Sequence, residues 1–412
     1  MLGKTIKGVF VLVKNIGWRV TIAAVLLNLA SGFLYAWSVY AAALIQELGF
    51  TKTQAMLPYT VALAMLAVMM VPGGKLFDKY GPRVVATAGG VLLIIGMALT
   101  SLQTTIPGFV VFFGVVVGAG SGIAYGVTIP SAVKWFPPAK RGLASGLVVA
   151  GLGLAAAYAA PLAQLIINAV GVRQTFLIIG IVFGSLVILF AQFLAVPPAE
   201  YVPPGTPAPA AGEASGKKDF SPSAMMGTAQ FWQIWLMYCF GAIAGLMVIG
   251  HISIIADIQA QLKWGFALVA ILAVFNSSGR VVGGFLSDRI GRNQTLILMF
   301  LLQAVNMIMF SNYTSMTSLT IGVCITGLAY GSLLGIFPAL TYDFFGLKNS
   351  GTNYGLVFTA FGAAGIIGPL TAGKIVDITG SYSYAYLAAA VILVIAAVMA
   401  KFLKQPQQEK VV

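Results

Sequence analysis

Apolar residues occur in stretches of about twenty, separated by short clusters of glycine, proline and charge. The pattern predicts helices over 20–44, 55–76, 84–102, 107–130, 142–167, 174–196, 231–260, 267–287, 294–312, 317–340, 352–374 and 383–403. At a rise of 1.5 Å per residue, about 20 apolar residues cross the hydrocarbon core of a bilayer. The expected fold class is an all-α membrane protein of twelve transmembrane helices. Ahead of the first span, Lys4, Lys7, Lys14 and Arg19 are set among apolar residues with no small-residue cleavage site after them. That segment reads as an amphipathic lead-in lying on the membrane surface.

The longest interruption is 197–222, which holds seven of the chain's 18 prolines and therefore cannot be helical throughout. It divides the chain into a six-helix half over 1–196, a Pro-rich cytoplasmic linker over 197–228 and a second six-helix half over 229–412. Composition agrees: of 412 residues 59% are hydrophobic and 8% charged, against roughly a quarter charged in a soluble domain. No stretch is polar enough for a separate catalytic domain. With one histidine, His251, and two cysteines, Cys239 and Cys324, inside apolar runs, a metal site, an exported disulfide framework and an enzyme are not expected. Neither is a cofactor.

The formal charge of +13 is distributed unevenly. With the N-terminus placed in the cytoplasm, eighteen of the 23 basic residues fall on that side and four, Lys52, Arg173, Lys263 and Lys374, fall opposite. The positive-inside rule then puts both termini in the cytoplasm, as for a multi-pass protein of a bacterial inner (plasma) membrane. Basic residues that flank helices do not form a nucleic-acid-binding patch. One basic residue, Arg280, is left over in the middle of the eighth span.

Two loops repeat the form G-x-x-x-D-[RK]-x-G: Gly74 to Arg83 around Asp78, and Gly284 to Arg292 around Asp288. Each joins the second and third spans of its half, and their aspartates lie 210 positions apart, so the chain consists of two copies of one six-span unit. Each glycine permits close helix approach, while each aspartate can accept from a helix N-terminus and pair with basic groups such as Arg83 or Arg292. The four charged residues are candidate gating groups.

Paired in this way, the loops resemble the signature loops of the major facilitator superfamily, and the likeness covers essentially the whole chain. It sharpens at Lys134-Trp-Phe-Pro-Pro-Ala-Lys140-Arg141-Gly142-Leu143-Ala-Ser-Gly146, which looks like the signature of the monocarboxylate porters and the oxalate/formate antiporter group. The first-span segment Gly32-Phe-Leu-Tyr35-Ala-Trp37 is similar to the same porters' first helix. The resemblance implies two six-helix bundles around a central cavity.

A charge at the bilayer centre costs about 2.5–3.5 kcal/mol on insertion scales, so Arg280 should face a cavity and a partner. It reads either as an internal ion pair holding a bundle together or as an anion-binding group, since a guanidinium matches a carboxylate bidentately. The resemblance favours the second reading: the segment Asn276-Ser-Ser-Gly-Arg280 aligns with the segment whose arginine binds substrate carboxylate in these porters. The animal members carry an aspartate at the position of Asn276. Proton coupling would then use another acid, Asp257 first and Asp377 in reserve. His251 is read as a cavity-facing polar group or a hydrogen-bonded packing residue. Asn28, Tyr35, Tyr125, Asn276 and Tyr330 are further cavity candidates, with Leu143 and Phe361 closing an apolar end.

Two departures bear on the substrate. Where the resembled oxalate exchanger has a lysine in the eleventh span this chain has Phe361, and where the animal porters have one in the first span it has Val39. One fixed cation suits a short monocarboxylate such as lactate or pyruvate, because a dianion would keep one charge uncompensated in low dielectric. The expectation is proton-coupled symport by a monomer, its partners being the substrate, protons and the lipid bilayer. Anion exchange is the alternative, ahead of a sensor or a membrane-embedded enzyme.

Overall fold

The computed structural model describes residues 2–198, 200–206, 219–261 and 265–406, so Ala199, 207–218, Lys263 and the C-terminal residues from 407 lie outside it. The first span is α1 (Leu2–Ser31), a 3-10 turn (Gly32–Ala36) and α2 (Trp37–Leu48). Then come α3 (Lys52–Tyr80), α4 (Pro82–Ser101), α5 (Ile106–Phe109) continued by a π-helical stretch (Val110–Val117) into α6 (Gly118–Val133), and α7 (Arg141–Ala191). The second half has a short α8 (Pro222–Met226), then α9 (Ala229–Ala260), α10 (Gly265–Ile290), α11 (Arg292–Phe310), α12 (Met316–Phe345), α13 (Ser350–Thr379) and α14 (Ser383–Phe402).

Among the described residues, 11 helical segments are long and apolar enough to cross a membrane. One of them, Pro138–Ala191, runs for 54 residues and contains two spans, because Gly171 breaks α7 with φ 80°. That makes twelve. The sequence pattern leaves several residues for this connection, whereas the structure closes it at one glycine. Glu47 makes the tight turn possible: both of its carboxylate oxygens accept from the Val172 amide, at 2.9 and 3.1 Å. An amide at a helix start that would otherwise lack a partner is thereby satisfied. The corresponding turn 209 positions later also uses a left-handed glycine, Gly380 (φ 69°).

Aliphatic side chains such as Val68, Leu165, Leu189, Val305 and Leu370 point outward. An apolar exterior of this kind is stable in hydrocarbon, where helices satisfy their own backbone groups. The helices gather into two compact units that cross the sequence boundary at two short segments. Unit 1 includes Leu347–Gly355, the start of α13, and unit 2 includes Ala139–Gly146, the start of α7.

Within unit 2, α10 and α12 are in backbone contact along their length. The small residues alternate: Gly279 and Gly283 of α10 lie against Leu328 and Ser332, while Gly327 and Gly331 of α12 lie against Asn276. Any Cβ at these positions would collide with the opposing main chain, which is how small residues drive helix association in lipid. The Ser332 hydroxyl adds a bond to the Gly279 carbonyl at 3.1 Å.

Candidate functional site

The tight α10/α12 pairing places Arg280. This arginine is 4% exposed, and its Nε donates to Asn276 Oδ1 at 3.3 Å one helical turn away. Its own carbonyl is packed against Gly146 and Gly335. Arg280 and Arg141 are the two cations fully buried among the described residues, but they differ in setting. Arg141, at the start of α7, donates to Asp343 Oδ1 at 2.9 Å, and Arg280 lies within α10 and donates to Asn276. The position 210 residues before Arg280 is Met70, which packs its backbone on Gly355 much as Arg280 packs on Gly146. The two repeats share this crossing and only the second carries a charge.

The structure brings Tyr330 of α12 and Phe361 of α13 together, with ring centroids 6.4 Å apart. Phe361 also stacks on Phe358 at 4.8 Å, and Tyr238 of α9 stacks on Phe337 at 4.3 Å. This gives unit 2 an aromatic cluster across three spans. Leu143 is placed elsewhere, at the start of α7, where its amide donates to Asp288. In unit 1, Asn28 is fully buried and its Nδ2 donates to the Val148 carbonyl at 2.8 Å, while its Oδ1 has no partner. Tyr125 is 2% exposed on α6. The side chain of Tyr35 lies outside the described residues.

His251 makes two bonds that join three helices. Its Nε2 lies 3.0 Å from the Pro369 carbonyl of α13, and its Nδ1 lies 2.8 Å from the Tyr382 hydroxyl at the start of α14. A carbonyl only accepts, so Nε2 carries the hydrogen and Nδ1 accepts from Tyr382. Burial, and then the nearby Asp377 carboxylate, push the Tyr382 hydroxyl above its usual range, keeping it a donor. Asp257 and Asp377 themselves are exposed. Lys263, one of the four basic residues assigned to the outer side, lies outside the described residues.

The four gating candidates are arranged in two clusters. Asp78 accepts from the amides of Gly351 (3.2 Å) and Thr352 (3.0 Å) and from the Thr352 hydroxyl (2.7 Å). Asp288 accepts from the amides of Gly142 (2.9 Å) and Leu143 (2.7 Å) and from Arg292 Nη1 (2.6 Å). Each carboxylate thus sits on the positive end of a helix. Arg292 Nε reaches Asp343 Oδ2 at 3.1 Å, so Arg141, Asp343, Arg292 and Asp288 form one chain of charges. Arg83 instead donates to the Leu194 carbonyl at 2.9 Å.

The sequence pattern assigns no role to Asp343, Thr352 or Tyr382, and Arg141 enters it only as a cytoplasmic charge and as part of the signature segment. Asp343 gave one signal: it is an acid close to the end of an otherwise apolar span.

Comparison with known proteins follows from this architecture. The model of the Major Facilitator Superfamily matches residues 20–310 and 258–412. The chain belongs to this superfamily of membrane transporters. Its relatives include the oxalate:formate antiporter of Oxalobacter formigenes, 29% identical over 95% of this chain and 92% of that protein. Human monocarboxylate transporter 2 is 26% identical over 93% of this chain and 84% of that protein. Among solved structures, the superfamily transporter FucP in the outward conformation superposes with a TM-score of 0.70 at 17% identity, covering 94% of this chain and all of FucP. That likeness shows the shared fold.

Proposed function

We propose that this superfamily member is a secondary active transporter of short monocarboxylates, such as L-lactate or pyruvate, working by alternating access as a proton symporter. The observation that carries this reading is the buried Arg280 on the α10/α12 crossing, a planar cation beside a neutral Asn276. A guanidinium beside an amide suits a carboxylate bearing a small polar substituent. Arg280 would take the carboxylate, Asn276 and Tyr330 would orient the rest, and Phe361 would border its apolar end. Relatives named for monocarboxylate and for oxalate and formate transport support an organic anion as cargo.

Charge decides between cargoes. A monocarboxylate is neutralised by one arginine, whereas a dianion retains a charge that is expensive in low dielectric. A carboxylate crossing with a proton moves no net charge, and the acids available for that proton are Asp257 and Asp377. The protein would act as a monomer in a bacterial inner membrane with both termini cytoplasmic, the side to which most basic residues fall. Helices α7 and α13, each with its first turn in one unit and its remainder in the other, are suited to link two bundles that rock, with Asp78 and Asp288 as cytoplasmic latches.

Arg280→Gln and Arg280→Lys should abolish uptake of labelled lactate into proteoliposomes while leaving elution volume and thermal stability unchanged. Normal uptake by either variant would remove Arg280 from the site. A pH gradient should drive accumulation into empty vesicles; accumulation only in vesicles preloaded with anion would make the protein an exchanger.

A further inference from the structure

The symport reading leaves the proton on one of two exposed carboxylates, neither of which, among the described residues, makes a side-chain hydrogen bond or ion pair that would tie its protonation to helix position. His251 is differently placed. It bonds to α13 through Pro369 and to the start of α14 through Tyr382, and its ring lies 3.6 Å from the position a Cβ would take on Gly373. Pro369 has no amide hydrogen, so α13 lacks one backbone bond here and is easier to bend. The histidine therefore sits on the deformable part of a helix whose first turn is held at Asp78 in unit 1.

We infer that the His251–Tyr382 pair is the seat of the transported proton, with Asp377 as its counter-charge. This rests on the symport reading and deepens it. In the neutral state Nε2–H donates to the Pro369 carbonyl and Nδ1 accepts from the Tyr382 hydroxyl. A proton delivered by a hydronium ion forms the Nδ1–H bond as the donor's O–H bond breaks and releases water, and no other covalent bond of the protein changes. Nδ1–H now donates to the Tyr382 oxygen, whose own hydrogen must turn away from the ring. Asp377, exposed near the end of α13 and five residues before Tyr382, is the carboxylate that can accept the redirected hydrogen once α13 or α14 shifts. Both protonation states are hydrogen-bonded, but with opposite polarity along the path from Pro369 to Asp377. A proton-dependent shift of α13 relative to α9 follows.

Besides His251, the titratable and charged side chains on the three joined elements are Tyr238, Cys239 and Asp257 on α9, Tyr354, Lys374 and Asp377 on α13, and Tyr382, Tyr384, Tyr386 and Lys401 from the start to the end of α14. Tyr386 is buried and directed to Gln259, Tyr384 and Lys374 are exposed, and Asp257 lies six residues from His251, about 9 Å along the helix. Asp377 is thus the carboxylate placed to stabilise an imidazolium through Tyr382.

Because the chain has one histidine, the full-length protein, purified with a histidine-free tag and labelled with 15N-histidine in lipid nanodiscs, reports on this site alone. The spectrum should show the Nε2–H tautomer of the neutral ring and gain a second ring N–H when the site takes up its proton. In proteoliposomes a one-unit pH gradient should drive about tenfold accumulation of lactate for one proton per anion. His251→Gln, whose amide can still donate to Pro369, should abolish that accumulation while lactate counterflow at equal pH persists. Retained accumulation by His251→Gln would overturn the inference. So would a proportional fall in both activities with an unchanged pH profile, which is what a purely structural staple would give. If wild-type protein exchanges lactate but never accumulates it under a pH gradient, the symport reading fails. The spectrum then decides separately, and a histidine that does not titrate would overturn the proton seat as well.

Discussion

The two latch loops began from one pattern and are built differently. Asp78 and Asp288 each cap a helix start through two amides, at Gly351 and Thr352 in one case and Gly142 and Leu143 in the other. Behind each carboxylate a glycine pair, Gly74 with Gly351 and Gly284 with Gly142, brings two backbones into contact. Even the outer tie is shared: Arg83 donates to the Leu194 carbonyl, and Asn293, 210 positions later, donates to the Leu403 carbonyl. The charges are not shared. Arg292 corresponds to Pro82, Asp343 to Val133 and Arg141 to Ser350, so the chain of four ions exists once. The first latch has the Thr352 hydroxyl in its place. A duplicated framework of glycines and capping aspartates has thus been given electrostatic reinforcement on one side, which should make the two latches unequal in strength.

That inequality can be measured. The largest effect is expected for Asp343→Ala, which removes the carboxylate between Arg141 and Arg292. Removing one partner of a buried ion pair costs about 3–5 kcal/mol, or on the order of 10 °C in melting temperature. The equivalent Val133→Ala removes only methyl groups and should cost far less by the same thermal scan. Equal losses would show that the charge chain adds nothing.

A smaller but more direct comparison is Asp288→Asn against Asp78→Asn. Both leave one side-chain oxygen for a helix amide, so the capping loss is common, about 1 kcal/mol. Asp288→Asn also breaks the bond to Arg292, and should lower the melting temperature more and shift the ratio of inward to outward access further. The reverse order would contradict the assignment. Thr352→Val should have the smallest effect, about 1 kcal/mol for one hydrogen bond, read as a modest fall in thermal stability with unchanged affinity for substrate.

Much of the fold is legible in sequence because a membrane imposes a single rule. Apolar runs of about 20 residues become helices, and their ends carry glycine, proline and charge. The loop between the fifth and sixth spans is an exception. Its closure at Gly171 depends on Glu47, more than a hundred residues away, and no local signal announces that pairing. Arg280 stood out as a candidate by elimination, since a charge with no place at either membrane face draws notice. Asp343 and Arg141 did not, because each lies near a helix end where charge is ordinary, and their significance comes from meeting each other.

What the sequence determined by itself was the number of spans, the internal repeat and the one cation with no place at a membrane surface, all of which follow from the energetics of burying polar groups in hydrocarbon. Which carboxylate caps which helix, which arginine is already bound to an acid, and that His251 bridges Pro369 and Tyr382 were decided only by tertiary structure. Those pairings join residues from about 50 to about 270 positions apart or, for His251, three separate helices, and hydrogen bonds and ion pairs act over a few ångströms of space without regard to distance along the chain.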